Sequence, residues 1–196
     1  MCKCQGEPVK GRDGRDLKQA CVSGRLSELD QVLQRRSPYK AEVSYDMTQD
    51  PPRPIMDRRQ PTKPHGWLPG WLAKYWDEPE AQRPAWEAGQ GYIRRPDVVI
   101  VKDPTKPPTQ DNIQQVVEMK FPPQETDRDQ KRKDERIAGD PSRALVIGPQ
   151  DCDCSQPREE GSGLPQGALS STAALASALM WVMSRGRGPC PSVPAY

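Results

Sequence analysis

RRPDVVIV, residues 94–101, and VVEMKF, residues 116–121, are the two stretches on which the fold turns. Val98, Val99, Ile100 and Val101 form a β-branched run, which predicts a short buried strand. Residues 113–121, IQQVVEMKF, predict a second strand, closed by Pro122 and Pro123. The segment between them, DPTKPPTQDN at 103–112, is turn chemistry throughout. An antiparallel hairpin about that turn has its centre between residues 107 and 108. Asp97 and Glu118 are equidistant from this centre, so the hairpin predicts that they face each other across the two strands. Opposed Cβ atoms lie about 4.5–5.5 Å apart. Lys120 is two residues beyond Glu118 and shares its face.

Working outward, residues 125–138 are polar and helix-compatible, with five basic and five acidic residues, a balance typical of a solvated face. ALVIGP at 144–149 predicts a third strand, reached by a crossover. The order strand, strand, helix, strand predicts an α/β sheet. Upstream, apolar residues recur at helical spacing over 13–36, and Pro38 stops that helix. Residues 38–90 read as irregular, because prolines such as Pro51, Pro52 and Pro54 forbid long ladders. LPGWLAKYW at 68–76 fits one short helix. Trp67, Trp71, Trp76 and Trp86 sit in this region. They either pin a proline-rich loop to the core or offer a stacking platform for nucleotide bases.

A length of 196 residues allows one domain with a real core. Only 34% of residues are hydrophobic and 23 are proline, so the compact centre must carry long irregular flanks. The expected division is an arm and helix over 1–36, a Pro/Trp-rich segment over 37–91, a core over 92–155 and a tail over 156–196. A net charge of +2 neither demands nor excludes nucleic acid, for which a local basic groove is enough. The N-terminus has no apolar run and is no secretory signal. Residues 173–183, AALASALMWVM, predict a buried or partner-facing helix in preference to membrane contact over 164–184. Six cysteines permit disulfides or zinc. The reading favoured is reduced thiols, or one pair joining the N-terminal arm to the segment near residue 152.

Two opposed carboxylates repel unless a cation lies between them. Oxygen-only ligation suits Mg²⁺ or Mn²⁺. Lys120 beside them could orient or deprotonate a water, or offset charge on a phosphate. The competing reading is an ordinary strand, with Glu118 and Lys120 paired on a wet face and Asp97 capping a turn.

RRPDVVIV, VVEMKFP, Gln130 in the following helix and IAGD before a closing strand together resemble the PD-(D/E)XK nuclease superfamily, over residues 92–150. The likeness is to the VRR-NUC-like and toxin branches with a restriction-endonuclease-like mixed β-sheet flanked by helices. SPYKAEVSYDMTQDPPRP at 37–54 also resembles text preceding such cores. The resemblance implies Asp97 and Glu118 as metal-binding acids, the Met119 carbonyl as a further ligand, Lys120 as catalytic lysine and Gln130 beside the site. An additional acid would be Glu42 or Glu28. It implies an Mg²⁺- or Mn²⁺-dependent DNase acting as an antibacterial effector of the type VI secretion kind. Its expected partners are DNA, a cognate immunity protein and a secretion-apparatus or chaperone component. Such a protein is made in the bacterial cytoplasm, leaves without a signal peptide and acts in the target-cell cytoplasm. A housekeeping repair or junction nuclease, and a non-catalytic nucleic-acid-binding module, are the alternatives.

Overall fold

The computed structural model describes Cys4, residues 9–12, Gly14 and residues 16–152. The chain divides into two units, Met1–Cys154 and Ser155–Tyr196. The expected C-terminal helix, together with Cys2, Cys154 and Cys190, lies outside the described residues. Among these residues the elements run β1 (Val9–Lys10), β2 (Asp16–Leu17), α1 (Lys18–Val32), β3 (Tyr39–Ala41), β4 (Tyr45–Asp46) and β5 (Arg53–Pro54). Then follow α2 (Leu68–Tyr75), β6 (Ile93–Arg94), β7 (Val98–Val101), β8 (Ile113–Met119), α3 (Arg128–Ala138) and β9 (Ala144–Ile147). No helix among the described residues is long and apolar enough to cross a membrane.

The central sheet has the order β3-β7-β8-β9. β7 and β8 are antiparallel, whereas β8 and β9 are parallel, joined by a crossover through α3. The architecture is therefore mixed α/β, as the element order predicted. Side chains alternate between the two faces of a strand, and both faces are covered. Val98, Val117 and Met119 pack with Cys21, Val22 and Phe121 on the α1 side. Val99, Val101 and Val116 pack with Ile137 and Ala138 of α3. Burial on both faces is why this hairpin reads as a continuous β-branched run.

Three expectations are corrected. The first helix begins at Lys18, because residues 16–17 pair with 9–10 as a short antiparallel ribbon. It ends at Val32, ahead of Pro38: Gln34 and Arg35 adopt left-handed φ values of 53° and 65° and reverse the chain. The segment 38–90 is not wholly irregular. β3 joins the central sheet, and β5-β4-β6 forms a second one. Two-residue strands fit between prolines without needing a long ladder. The thiols are not all reduced: Cys4 bonds Cys21, while Cys152 is free, and a pairing of Cys2 with Cys154 falls outside the described residues. Both partners sit in the apolar cluster under α1, so the bridge staples the arm to that helix.

Buried charges hold the flanks. Lys40 is fully buried and donates from Nζ to Asp30 (2.7 Å) and to the Arg35 carbonyl (2.8 Å), tying β3 to the end of α1. Burial lowers the Lys40 pKa, and Asp30 opposes that shift. Arg83 donates to Asp46 at 2.6 Å and lies over the rings of Trp71 and Trp76. This pins the proline-rich segment to β4, as one of the two sequence readings of the tryptophans required.

Candidate active site

The ladder pairs Val98 with Val117 and Val99 with Val116; Asp97 lies in the bend that leads into β7, and it lines the same cleft as Glu118. Glu118, next to Val117 in β8, falls on the α3 side of the sheet with Val116. Glu118 is buried. Its Oε1 accepts from Lys120 Nζ at 3.0 Å, and its Oε2 accepts from Arg94 Nη2 at 2.8 Å. Lys120 Nζ also donates to Gln130 Oε1 at 3.0 Å. The four residues expected at the site therefore line one cleft of about 460 Å³.

α3 supplies one wall, and its own pattern explains how. Asp127 caps the helix, its carboxylate accepting from the backbone N–H of Asp129 at 2.7 Å. Gln130, Asp134, Ile137 and Ala138 follow at i, i+4, i+7 and i+8, one stripe of a helix. The apolar half of the stripe is buried in the core. The polar half reaches the acids: Asp134 accepts from Arg94 Nε (2.7 Å) and Nη2 (2.8 Å), a two-pronged pair. Arg94 thus bridges Asp134 on the helix and Glu118 on the sheet. Burial alone would lower the Arg94 pKa, but Asp134 and then Glu118 raise it.

α1 supplies the other wall through Gln19. Its Nε2 donates to the Met119 carbonyl at 2.7 Å and to Asp97 Oδ2 at 3.3 Å. Asp97 Oδ2 also accepts from the Met119 N–H at 2.7 Å. Asp97 is held by amides, while Glu118 takes two cations. Burial pushes the Asp97 carboxyl up to about 6; the Met119 N–H opposes this, and the charge of Glu118 adds to it.

Of the two further acids expected, Glu42 reaches only the rim. Its backbone N–H donates to the Asp97 carbonyl at 3.0 Å, while its carboxylate faces Arg95 at 3.6 Å. Glu28 is exposed on α1. Nine residues from Gln19 at ~100° each put it about half a turn away, on the opposite side of that helix. The position an acid was expected to fill holds Gln19 instead. Sequence reading missed Gln19, Arg94 and Asp134. Signals existed for two of them: Asp134 shares the stripe of Gln130, and Gln19 shares that of Val22 and Leu26, at i, i+3 and i+7.

The donor set fits a hard divalent cation in kind: two carboxylates and one backbone carbonyl, all oxygen. Asp97, lifted by burial and by a neighbouring carboxylate, is short of positive charge. Among the described residues no group of three His, Cys, Asp or Glu side chains is placed to hold a metal. The protein therefore offers few ligands, and a cation held here would keep several waters. A second cleft, of about 520 Å³, is lined in part by Arg53, Lys102 and Arg143. Asp50 and Asp111 also line it, and Lys102 and Arg143 already donate to the backbone carbonyls of Asp111 and Ile113. Set beside known proteins, the chain matches no family profile, no characterised protein and no solved structure.

Proposed function

We propose that this chain is an Mg²⁺- or Mn²⁺-dependent nuclease that hydrolyses phosphodiester bonds in DNA, with a PD-(D/E)XK core of Asp97, Glu118 and Lys120. The observation that carries this reading is the meeting of the carboxylate pair Asp97 and Glu118 in one cleft, with Lys120 bonded to Glu118. Such a pair is repulsive by itself. A divalent cation bound there would supply charge that stabilises a phosphoryl oxygen and lowers the pKa of water.

The chain's own residues do the rest. Asp97 and Glu118 would hold the cation through lone pairs that Lys120 and Arg94 leave free, and the Met119 carbonyl would join them once Gln19 yields part of its bond. Lys120 presents donors only, so it offsets charge developing on the phosphate and orients the attacking water. Gln130 fixes the Lys120 ammonium, and Arg94, anchored by Asp134, keeps Glu118 in place. Arg95 at the rim attracts the backbone of the nucleic acid.

The biological setting rests on the resemblance alone: an antibacterial effector toxin, neutralised by a cognate immunity protein. Expression in a bacterial cytoplasm should be toxic for the wild type and harmless for Asp97→Asn. The non-catalytic alternative draws on the exposed rings of Trp67 and Trp86. Cleavage of nucleic acid that needs Mg²⁺ and vanishes in both Asp97→Asn and Glu118→Gln separates the two. Persistence of cleavage in either variant would remove the assignment.

A further inference from the structure

We propose that Trp86 and Tyr92 form a stacking site for an unpaired nucleobase, so that the cleft is served by single-stranded nucleic acid; the placement of its backbone in the cleft rests on the nuclease reading above.

The tryptophans of the proline-rich segment are not equivalent. Trp76 is 2% exposed, and its indole N–H donates to the Pro84 carbonyl at 2.8 Å. Trp71 is buried beneath Arg83. These two are accounted for by packing. Trp86 is 42% exposed, although it is held in place by neighbours. Its ring centroid is 4.7 Å from Trp76, edge to face at 77°, and 6.1 Å from Tyr92. Tyr92 in turn stacks on Trp76 at 5.6 Å and 26°. An indole fixed yet open to water loses little freedom when a flat ligand stacks on it.

The location ties this platform to the acids. Tyr92 precedes β6, and its carbonyl accepts from the Met47 N–H at 2.8 Å, extending the β4–β6 pairing. In an extended chain Tyr92 and Arg94 lie on one side, about 7 Å apart along the backbone. Arg94 is the residue bonded to Glu118. That span is roughly two nucleotides at the ~3.4 Å rise of a DNA strand.

A cation lies beside the loop that carries Tyr92. Gly91 has φ +73°, and a Cβ there would meet Lys133 Nζ at 2.8 Å. The positive φ is what favours glycine, and the ammonium of Lys133 lies against the loop there. Lys133 is three residues beyond Gln130 on α3, and its present partner is the exposed Asp129 at 2.6 Å. A phosphate beside the stacked base can take over that ammonium. Bases inside a duplex have both faces occupied by neighbours, so the platform selects an unstacked one. The flanking cations favour this over an aromatic anchor for a protein partner.

The test is equilibrium binding to the full chain in chelator, where nothing is cut. The probes are a labelled oligouridylate, its 2′-deoxy counterpart, an abasic oligomer of equal length and a duplex. One stacked base changes affinity by roughly 5- to 150-fold. The wild type should bind a base-bearing strand tighter than the abasic one by that factor. Trp86→Ala should erase the difference, Trp86→Phe should keep part of it, and Trp67→Ala should leave it unchanged. Preference between the uridylate strand and its 2′-deoxy counterpart assigns the sugar within the proposal. Equal binding of abasic and base-bearing strands, a Trp86→Ala variant that still discriminates, or an equal loss in Trp67→Ala overturns it. Because no cleavage is read, these results stand apart from success or failure of the nuclease assignment.

Discussion

Asp97 is half-buried, and burial is what lifts its carboxyl to about 6. Between the ordinary carboxylate value and that point, the folded chain holds a proton on Asp97 that the unfolded chain has released. The folded state then binds more protons, so the free energy of unfolding falls as pH rises through the window. Asp134, also raised by burial and opposed by Arg94, contributes with the same sign. A cation needs the ionised form of Asp97. Mg²⁺ should therefore raise the melting temperature more at about pH 7.5 than at about pH 5, and cleavage should rise through pH ~6. Thermal melts with and without Mg²⁺ check this; a shift that is the same at both pH values contradicts it. Removing Asp134 takes two hydrogen bonds from the Arg94 guanidinium and leaves it Glu118. Asp134→Ala should cost about 1.5–3 kcal/mol by urea denaturation.

At the scale of elements, α3 is the part that couples packing to chemistry. Ile137 is fully buried, and Gln130 lies on the same stripe two turns earlier. Ile137→Ala should destabilise by about 2–5 kcal/mol, measured by denaturant titration, and should loosen Gln130 from Lys120. The elements that sequence reading found were those with local causes. The β-branched run of β7, the turn chemistry of 103–112 and the polar, helix-compatible run of α3 each carry their own signal, whereas the register of the hairpin shifts at an irregularity between Ile100 and Val101 that the loop does not announce. The elements it missed depend on distant partners. β4 and β6 have two residues each, and only their pairing across some fifty residues of chain makes them strands. Leu17 continues an apolar helical pattern, yet its backbone pairs with Val9. The same division runs through the site. Asp97, Glu118 and Lys120 were legible from one hairpin, whereas Arg94 is brought in by sheet pairing that no local pattern announces.

For the molecule as a whole, the N-terminal arm is secured covalently. The Cys4–Cys21 bridge closes a loop with a sequence separation of 17. In the chain-entropy account such a loop is worth roughly 3 kcal/mol. Reduction, or Cys4→Ser with Cys21→Ser, should lower stability by about that amount in urea titration. Gln19 is two residues from Cys21 on α1, so loss of the bridge should also weaken the hold on the Met119 carbonyl. The most direct measurement of the central claim is isothermal titration of Mg²⁺ into the wild type, Asp97→Asn and Glu118→Gln, paired with nucleic-acid cleavage by the same samples. The account predicts one cation site in the wild type, lost together with cleavage in both variants while circular dichroism stays unchanged. Wild-type protein that binds no divalent cation, or that cuts equally well in chelator, would contradict it.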